Sequence, residues 1–262
     1  MKPLADLGRD EARGLTGIFF DLDDTLLTRG VLERGAYGAL WDLHASGLRL
    51  VAVTGRPSGW AEIFVRQWPI DGAVAENGAV AVVRDGHAVR VLVEPGVEER
   101  RARLDALVQE VRRAMPLLML ADDVHHRRSD VAWDIGEHVK VPENEVSALA
   151  RLVVAHGART TRSTVHLHAT YEGDDKASGA LRFARTRFGD DPGAAVFRWA
   201  FVGDSPNDAA CFAALRTTFG VANVRAFVSR LSVPPRWVAK EERGAGFAEI
   251  ARAILDLRQP ER

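Results

Sequence analysis

An apolar run that stops on a cluster of acids constrains this chain more than any other stretch. Gly17-Ile18-Phe19-Phe20 leads straight into Asp21-Leu22-Asp23-Asp24-Thr25-Leu26-Leu27. Bulky apolar residues without polar alternation read as a strand covered on both faces, the kind found in a parallel sheet flanked by helices. In such sheets ligands bind beyond the carboxyl ends of the strands, which is where Asp21 begins. Side chains alternate along an extended backbone, so Asp21 and Asp23 can face one cavity. Two carboxylates that close need a cation, and a hard divalent ion with oxygen ligands, Mg²⁺, is the economical choice. A solvated acidic turn capped by Thr25 accounts for the same residues. The rest of the chain has to decide between them.

From Gly17 to about Ala75, strand-like runs (Ile18–Phe20, Leu48–Val53, Gly72–Ala75) alternate with helical patterns (Glu33–Ala45, Gly59–Gln67), which argues for βαβ units. The alternation then fails. Ala79–Val83 and Ala88–Val93 flank a turn, Arg84-Asp85-Gly86-His87, and read as a hairpin. A helix over Val97–Met115 carries Leu104, Leu107, Val108, Val111 and Met115 on one stripe. Strands are expected at Leu117–Leu120, Val131–Ile135 and Thr164–Ala169, with a helix at Pro142–Ala155. After Tyr171 the doubly wound pattern returns: helix Lys176–Phe188, strand Trp199–Val202, helix Pro206–Leu215, strand Thr218–Val221, helix Val224–Leu231, strand Trp237–Ala239 and a closing helix with Phe247, Ile250, Ile254 and Leu257 on one face. The expected fold class is α/β: a Rossmann-like parallel-sheet core in two segments, 14–83 and 173–258, with an α+β cap inserted over 84–172.

Charge excludes some partners. Thirty-five basic and 36 acidic residues leave a net charge of −1 over 262 residues, which supplies no long-range field for nucleic acid or an anionic membrane. A single cysteine, Cys211, permits no intrachain disulfide and suits a reducing cytoplasm. No apolar stretch is long enough to span a bilayer. The expectation is a cytoplasmic protein, monomer or homodimer, acting on a small molecule.

Three further motifs fall at expected strand or helix ends. Thr54-Gly55-Arg56-Pro57 follows Leu50-Val51-Ala52-Val53, so the Thr54 hydroxyl and neighbouring amides could grip a phosphate oxygen or simply cap the next helix. Lys176 opens a helix, an electrostatically odd place for a cation unless an anion sits there, although a surface lysine accounts for the same residue. Gly203-Asp204-Ser205-Pro206-Asn207-Asp208 follows Ala200-Phe201-Val202 and also reads as a well-capped helix start.

Taken in order, the four motifs resemble those of the haloacid dehalogenase superfamily of phosphohydrolases. The resemblance implies a phosphoaspartyl mechanism: Asp21 as nucleophile, Asp23 as general acid and base, Thr54 and Lys176 holding the transferring phosphoryl oxygens. It places Mg²⁺ on Asp21, the backbone carbonyl of Asp23, Asp204 and Asp208, with Asn207 in support and Thr25 fixing the loop. The insertion after Glu76-Asn77-Gly78-Ala79 resembles the subclass IIB cap of Cof-type sugar phosphatases, sucrose-phosphate phosphatase and mannosyl-3-phosphoglycerate phosphatase. Phosphomannomutases share that cap, so a mutase is the nearest alternative; a non-catalytic binding module is another. The implied substrate is a sugar phosphate or phosphorylated glycoside such as mannosyl-3-phosphoglycerate.

By the same resemblance Gly55, Arg56 and Asn77 lie at the cap–core crevice as substrate contacts. His125, His126, Arg127 and Arg128 form a polar run on the cap, where Arg127 and Arg128 could read a second anionic group or face solvent. With Asp122 and Asp123 nearby, a transition-metal site there has no supporting spacing. His166 and His168 share one strand face, a packed or surface pair. Trp41 and Trp133 are expected in the core, and Cys211 as a small buried hydrophobe.

Overall fold

The computed structural model describes residues 1–163 and 165–259. The first segment of the core contains β1 (Lys2–Pro3), α1 (Arg9–Gly14), β2 (Gly17–Phe20), α2 (Arg34–Ala45), β3 (Arg49–Val53), α3 (Ser58–Gln67), β4 (Gly72–Ala75), β5 (Val80–Asp85) and β6 (Ala88–Val93). The cap follows, with α4 (Val97–Ala114), β7 (Asp130–Asp134), α5 (Glu143–Ala155), β8 (Arg159–Arg162) and β9 (His166–Thr170). The chain then returns through α6 (Lys176–Phe188), α7 (Pro192–Arg198), β10 (Trp199–Gly203), α8 (Ala209–Ala214), β11 (Thr217–Gly220), β12 (Trp237–Val238) and α9 (Arg243–Arg258).

Among the described residues the large sheet has nine strands in the order β1-β12-β11-β10-β2-β3-β4-β5-β6. It is parallel from β1 to β4, and the β5–β6 hairpin extends it antiparallel. The alternation of side chains sorts the central strands between two cores. Ile18, Phe20, Leu50, Ala52, Ala200 and Val202 pack on the side of α2, α3 and α9, whereas Phe19, Val51, Val53, Trp199 and Phe201 pack on the side of α6 and α8. The Phe19 ring stacks on Trp199 with centroids 4.1 Å apart. The same period carries Asp21, two residues beyond Phe19, toward the face covered by α6.

The cap sheet has the order β7-β9-β8, all antiparallel. Val131, Trp133, Leu167 and Ala169 build its core with Leu104, Leu107 and Val111 of α4 and Val146, Leu149 and Val153 of α5.

Several expectations are corrected. Ala88–Val93, assigned by the sequence boundary at 84 to the cap, hydrogen-bonds as β6 to β5 of the large sheet. Leu117–Leu120 is not a strand: Pro116 leaves Leu117 91% exposed, and only Leu120 bridges to Trp133. Pro206–Leu215 divides into a 3₁₀ turn, Pro206–Asp208, and α8, while the helix expected over Val224–Leu231 is a 3₁₀ segment, Ala222–Arg230. Strand β8 reads Arg-Thr-Thr-Arg, a polar sequence that conceals its role, and α7 was equally unforeseen. The strand expected to start at Thr164 begins at His166; Thr164 itself lies outside the described residues. Trp133 is buried as expected, but Trp41 is 49% exposed, its ring edge-on to Tyr37 and His44.

Cap and core are joined through a buried carboxylate. Glu76, just after β4, has φ 52°, an uncommon backbone for a residue with a side chain. Its carboxylate accepts from Ser58 N (3.0 Å) in the core and from Arg128 N (3.0 Å), Ser129 N (2.6 Å) and Ser129 Oγ (2.7 Å) in the cap. Arg127 adds a bond from Nη1 to Gly55 O, 3.1 Å. Unpaired buried amides cost about 1–3 kcal/mol each, so Glu76→Ala is expected to destabilise the protein by about 2–4 kcal/mol. Urea denaturation should show it, together with faster proteolysis between α4 and β7; an unchanged midpoint would remove Glu76 from this role.

Candidate active site

Three loops reach one point beyond the carboxyl ends of β2, β3 and β10. Asp21 N continues the ladder to Val202 O (2.9 Å), and Thr54 N does the same to Val74 O (2.8 Å), so both leave their strands in fixed directions. Lys176 is the first residue of α6, behind the Asp175 N-cap, whose side chain accepts from Ser178 N while the Ser178 hydroxyl accepts from Asp175 N. Lys176 thus stands at the capped amino end of α6. Its ammonium donates to Asp21 Oδ1 (2.6 Å) and Asp208 Oδ1 (2.7 Å), and the ammonium and both carboxylates are buried.

The anions that explain a lysine at a helix start are therefore two protein carboxylates. Burial disfavours the Lys176 ammonium, but Asp208 and then Asp21 outweigh it and raise its pKa above the ordinary 10.5. The reverse does not hold for Asp21. Burial raises its carboxyl from 3.8 to about 7, Lys176 lowers it, and the negative charges of Asp208 and Asp23 push it up again. Asp204 rises to about 8, first by burial and then by repulsion from Asp208 and Asp21. One lysine does not balance this cluster.

Carboxylate oxygens of Asp21, Asp204 and Asp208 lie within 4.8 Å of one another. Unit charges about 4 Å apart interact by about 4 kcal/mol at an effective dielectric near 20, so the three ionise together only if a cation joins them. The donor set is all oxygen, which fits a hard divalent ion such as Mg²⁺. The three carboxylates are not equivalent. Asp208 Oδ1 holds Lys176, and its Oδ2 accepts from Asp204 N (2.9 Å) and Ser205 N (3.2 Å), so it braces the loop as well as adding charge. Thr25, expected to fix its own loop, also donates to Asp204 Oδ1 (3.2 Å). Among the described residues no other group of three or more such ligands is close enough to hold a metal, the Asp122–His126 run included.

Asp23, expected beside Asp21, is half-exposed and gripped by Arg56: Nε reaches both carboxylate oxygens at 3.1 and 2.9 Å and Nη2 reaches Oδ1 at 2.6 Å. The guanidinium also lies over the Trp60 ring, 4.5 Å from its centroid. Arg56, expected as a substrate contact, is thus a partner of Asp23. The Thr54 hydroxyl accepts from Arg56 N (3.0 Å), which leaves its proton to be donated elsewhere. Asn77 (φ 56°) accepts from Asn207 Nδ2 at 3.1 Å and lies against Gly55, tying the Thr54 loop to the Asp204 loop.

The cap residues separate. Arg127 is not open to a ligand: its side chain is 2% exposed and donates to Asp123 (2.9 Å), Asp130 (3.0 Å) and Gly55 O. Arg128 is half-exposed, 3.5 Å from Glu62. His125 and His126 are exposed. His166 and His168 do share a face, with ring centroids 5.9 Å apart; each is anchored by a carboxylate, Glu137 at 2.8 Å and Asp130 at 2.9 Å. Cys211 is buried on α8, and burial raises its thiol well above the ordinary value, away from nucleophilic use. Sequence reasoning missed Glu76. Only its place before Asn77-Gly78 marked it, because its partners are backbone amides of a distant loop.

Residues 18–101 match the family model of haloacid dehalogenase-like hydrolases. No curated protein matches the chain significantly. Solved structures share its fold along nearly the whole length. A Thermoplasma acidophilum protein has a TM-score of 0.73 at 15% identity, covering 93% of this chain and 99% of that one. A subclass IIB sugar phosphatase of the same superfamily has 0.61 at 18% identity, covering 90% and 98%. The sucrose-phosphatase of Synechocystis sp. PCC6803, solved with sucrose and phosphate, has 0.66 at 14% identity, covering 92% and 98%. No helix among the described residues is long and apolar enough to cross a membrane.

The carboxyl groups give a pH test. Asp21 and Asp204 bind protons more tightly in the folded protein than in the unfolded chain, so metal-free stability is greatest below about pH 4 on their account and falls as pH rises toward 7–8. Lys176 is charged in both states throughout that window and adds no slope. The melting temperature in EDTA is expected to drop between about pH 5 and pH 8, and Mg²⁺ is expected to restore more of it at the higher pH. A metal-free profile that rises over this range would contradict the carboxylate cluster.

Proposed function

We propose that this chain, a haloacid dehalogenase-like hydrolase, is a Mg²⁺-dependent phosphatase of a small phosphorylated metabolite. The observation that carries the reading is the convergence of Asp21, Lys176, Asp204 and Asp208 on one buried point at the strand ends, with Thr54 at the end of the neighbouring strand β3 and Asp23 two residues beyond Asp21. Asp21, Asp204 and the backbone carbonyl of Asp23 would hold the metal, and Asp208 would complete the charge. When bound, Mg²⁺ would neutralise phosphoryl and carboxylate charge, without which a carboxylate cannot approach a phosphate.

The remaining steps belong to the chain's own groups. Lys176 holds Oδ1 of Asp21, so Oδ2 is the oxygen that would meet phosphorus; the P–O bond to the leaving alcohol breaks as the acyl phosphate on Asp21 forms. Lys176 and the Thr54 hydroxyl would take phosphoryl oxygens. Asp23 would give the leaving oxygen its proton and then take one from the water that attacks the acyl phosphate, releasing phosphate and regenerating Asp21.

The substrate class we propose is a sugar phosphate. Arg127 is committed to Asp123 and Asp130 and supplies no free fork for a second anion, while Arg128 is half-exposed beside Glu62. Asp130, Asp134, His166, His168 and Thr170 alternate onto the cap-sheet face opposite its apolar core. All five are engaged within the protein, Asp130 by Arg127 and His168, Asp134 by the amides of Gly136, Glu137 and His138, His166 by Glu137 and Thr170 by Ser129 O. The sugar phosphatase and sucrose-phosphatase among the structural neighbours agree with that class.

Purified protein with Mg²⁺ is expected to release phosphate from members of a sugar-phosphate panel, with free sugar as co-product and no isomerised phosphate. Asp21→Asn and Lys176→Ala should each lower kcat by about 10³-fold or more. Phosphate release unaffected by Asp21→Asn would reject the reading, and isomerised sugar phosphate would replace it with a mutase.

A further inference from the structure

Asn223 is the second residue of the 3₁₀ segment after β11 and belongs to none of the four motifs. Its side-chain Nδ2 donates to Asp204 Oδ2 at 2.8 Å and to Asp24 O at 3.0 Å, and its Oδ1 accepts from Arg243 N at 3.1 Å. This pattern admits one orientation of the amide: reversed, it would set its oxygen against a carboxylate and a carbonyl, and its NH₂ against an N–H. Asn223 therefore joins three segments distant in sequence, the loop after β2, the loop after β10 and the start of α9.

The arrangement around it is strained and braced. Asp24 and Arg243 both have left-handed backbones, φ 55° and 51°, a conformation uncommon for residues with side chains. The Arg243 Nε donates to Asp24 Oδ1 at 2.8 Å, which holds in place the peptide whose carbonyl Asn223 uses. Asp24, which has no part in the chemistry, acquires a purpose here. Asp204 thus receives one neutral donor on each oxygen, Thr25 on Oδ1 and Asn223 on Oδ2. A carboxylate has about four lone-pair sites, so two remain for a cation.

We propose that Asn223 is a positioning residue for the divalent metal: it fixes the Asp204 carboxylate plane so that its remaining lone pairs face Asp21. The inference rests on the metal-dependent reading above. A neutral amide suits the task, because a lysine or arginine at this place would pair with Asp204 and cancel the charge that draws the cation. An apolar side chain would leave Asp204 held through Oδ1 alone.

Isothermal titration of Mg²⁺ into the substrate-free full-length protein tests it. Wild type should bind, and Asn223→Ala should bind about 10–100-fold more weakly, the effect usual for losing a group that orients a metal ligand. The melting temperature of Asn223→Ala in EDTA is expected to fall modestly, because Arg243 N and Asp24 O lose a partner, and saturating Mg²⁺ should recover most of kcat. Asn223→Ser, which retains a smaller donor, should fall between the two and serves if Asn223→Ala does not fold. Unchanged Mg²⁺ affinity in a folded variant overturns the assignment, as does a lower melting temperature without an affinity change. If wild type itself binds no Mg²⁺, the metal reading fails first and Asn223 loses its role with it.

Discussion

One buried ammonium shared by two buried carboxylates is the constraint on which the site depends. Lys176 lies between Asp21 and Asp208 at 2.6 and 2.7 Å, and removing one partner of a buried pair leaves the other charge uncompensated, at a typical cost of about 3–5 kcal/mol. Its position follows from the capped start of α6, and theirs from the ends of β2 and β10. The arrangement is under-neutralised by design. Burial, and after it the repulsion among three carboxylates that share one lysine, leaves Asp21 and Asp204 with raised pKa values, a state that a divalent cation would relieve.

The fold ties the second unit to the sheet beside this cluster through backbone amides. Glu76 follows β4, one strand from the Thr54 loop, and its carboxylate gathers the amides of Arg128 and Ser129. Arg127 reaches from the same cap loop to the carbonyl of Gly55. The loop that would bind phosphate and the loop that holds the cap are thus one hydrogen-bonded assembly.

Much of this was legible in the sequence, and the exceptions have physical reasons. The apolar runs Gly17–Phe20 and Trp199–Gly203 announced central strands because both their faces are buried, and the acids after them announced strand ends. Lys176 was legible only together with the other motifs, because a lysine at a helix start otherwise reads as a surface residue. Strand β8 was hidden because one of its faces meets solvent and its residues are Arg and Thr. Trp41 was misassigned because an aromatic on an amphipathic helix gives no hint of which stripe faces inward. The true partners of Arg56 and Arg127 were beyond reach for another reason: Asp23 lies 33 residues from Arg56 and Gly55 lies 72 from Arg127, and only the folded topology brings them together. Glu76 and Asn223 share that limit, since each is defined by backbone groups of remote loops.

The central claim is that Asp21 carries the phosphoryl group in transit. Rapid acid quench of the protein during turnover with Mg²⁺ and a substrate sugar phosphate, followed by peptide mass spectrometry, measures this directly. The account predicts a phosphoryl adduct on the peptide containing Asp21, enriched in Asp23→Asn, where the water step is slowed, and absent in Asp21→Asn. Steady phosphate release with no adduct at Asp21, or an adduct on another residue, would contradict it.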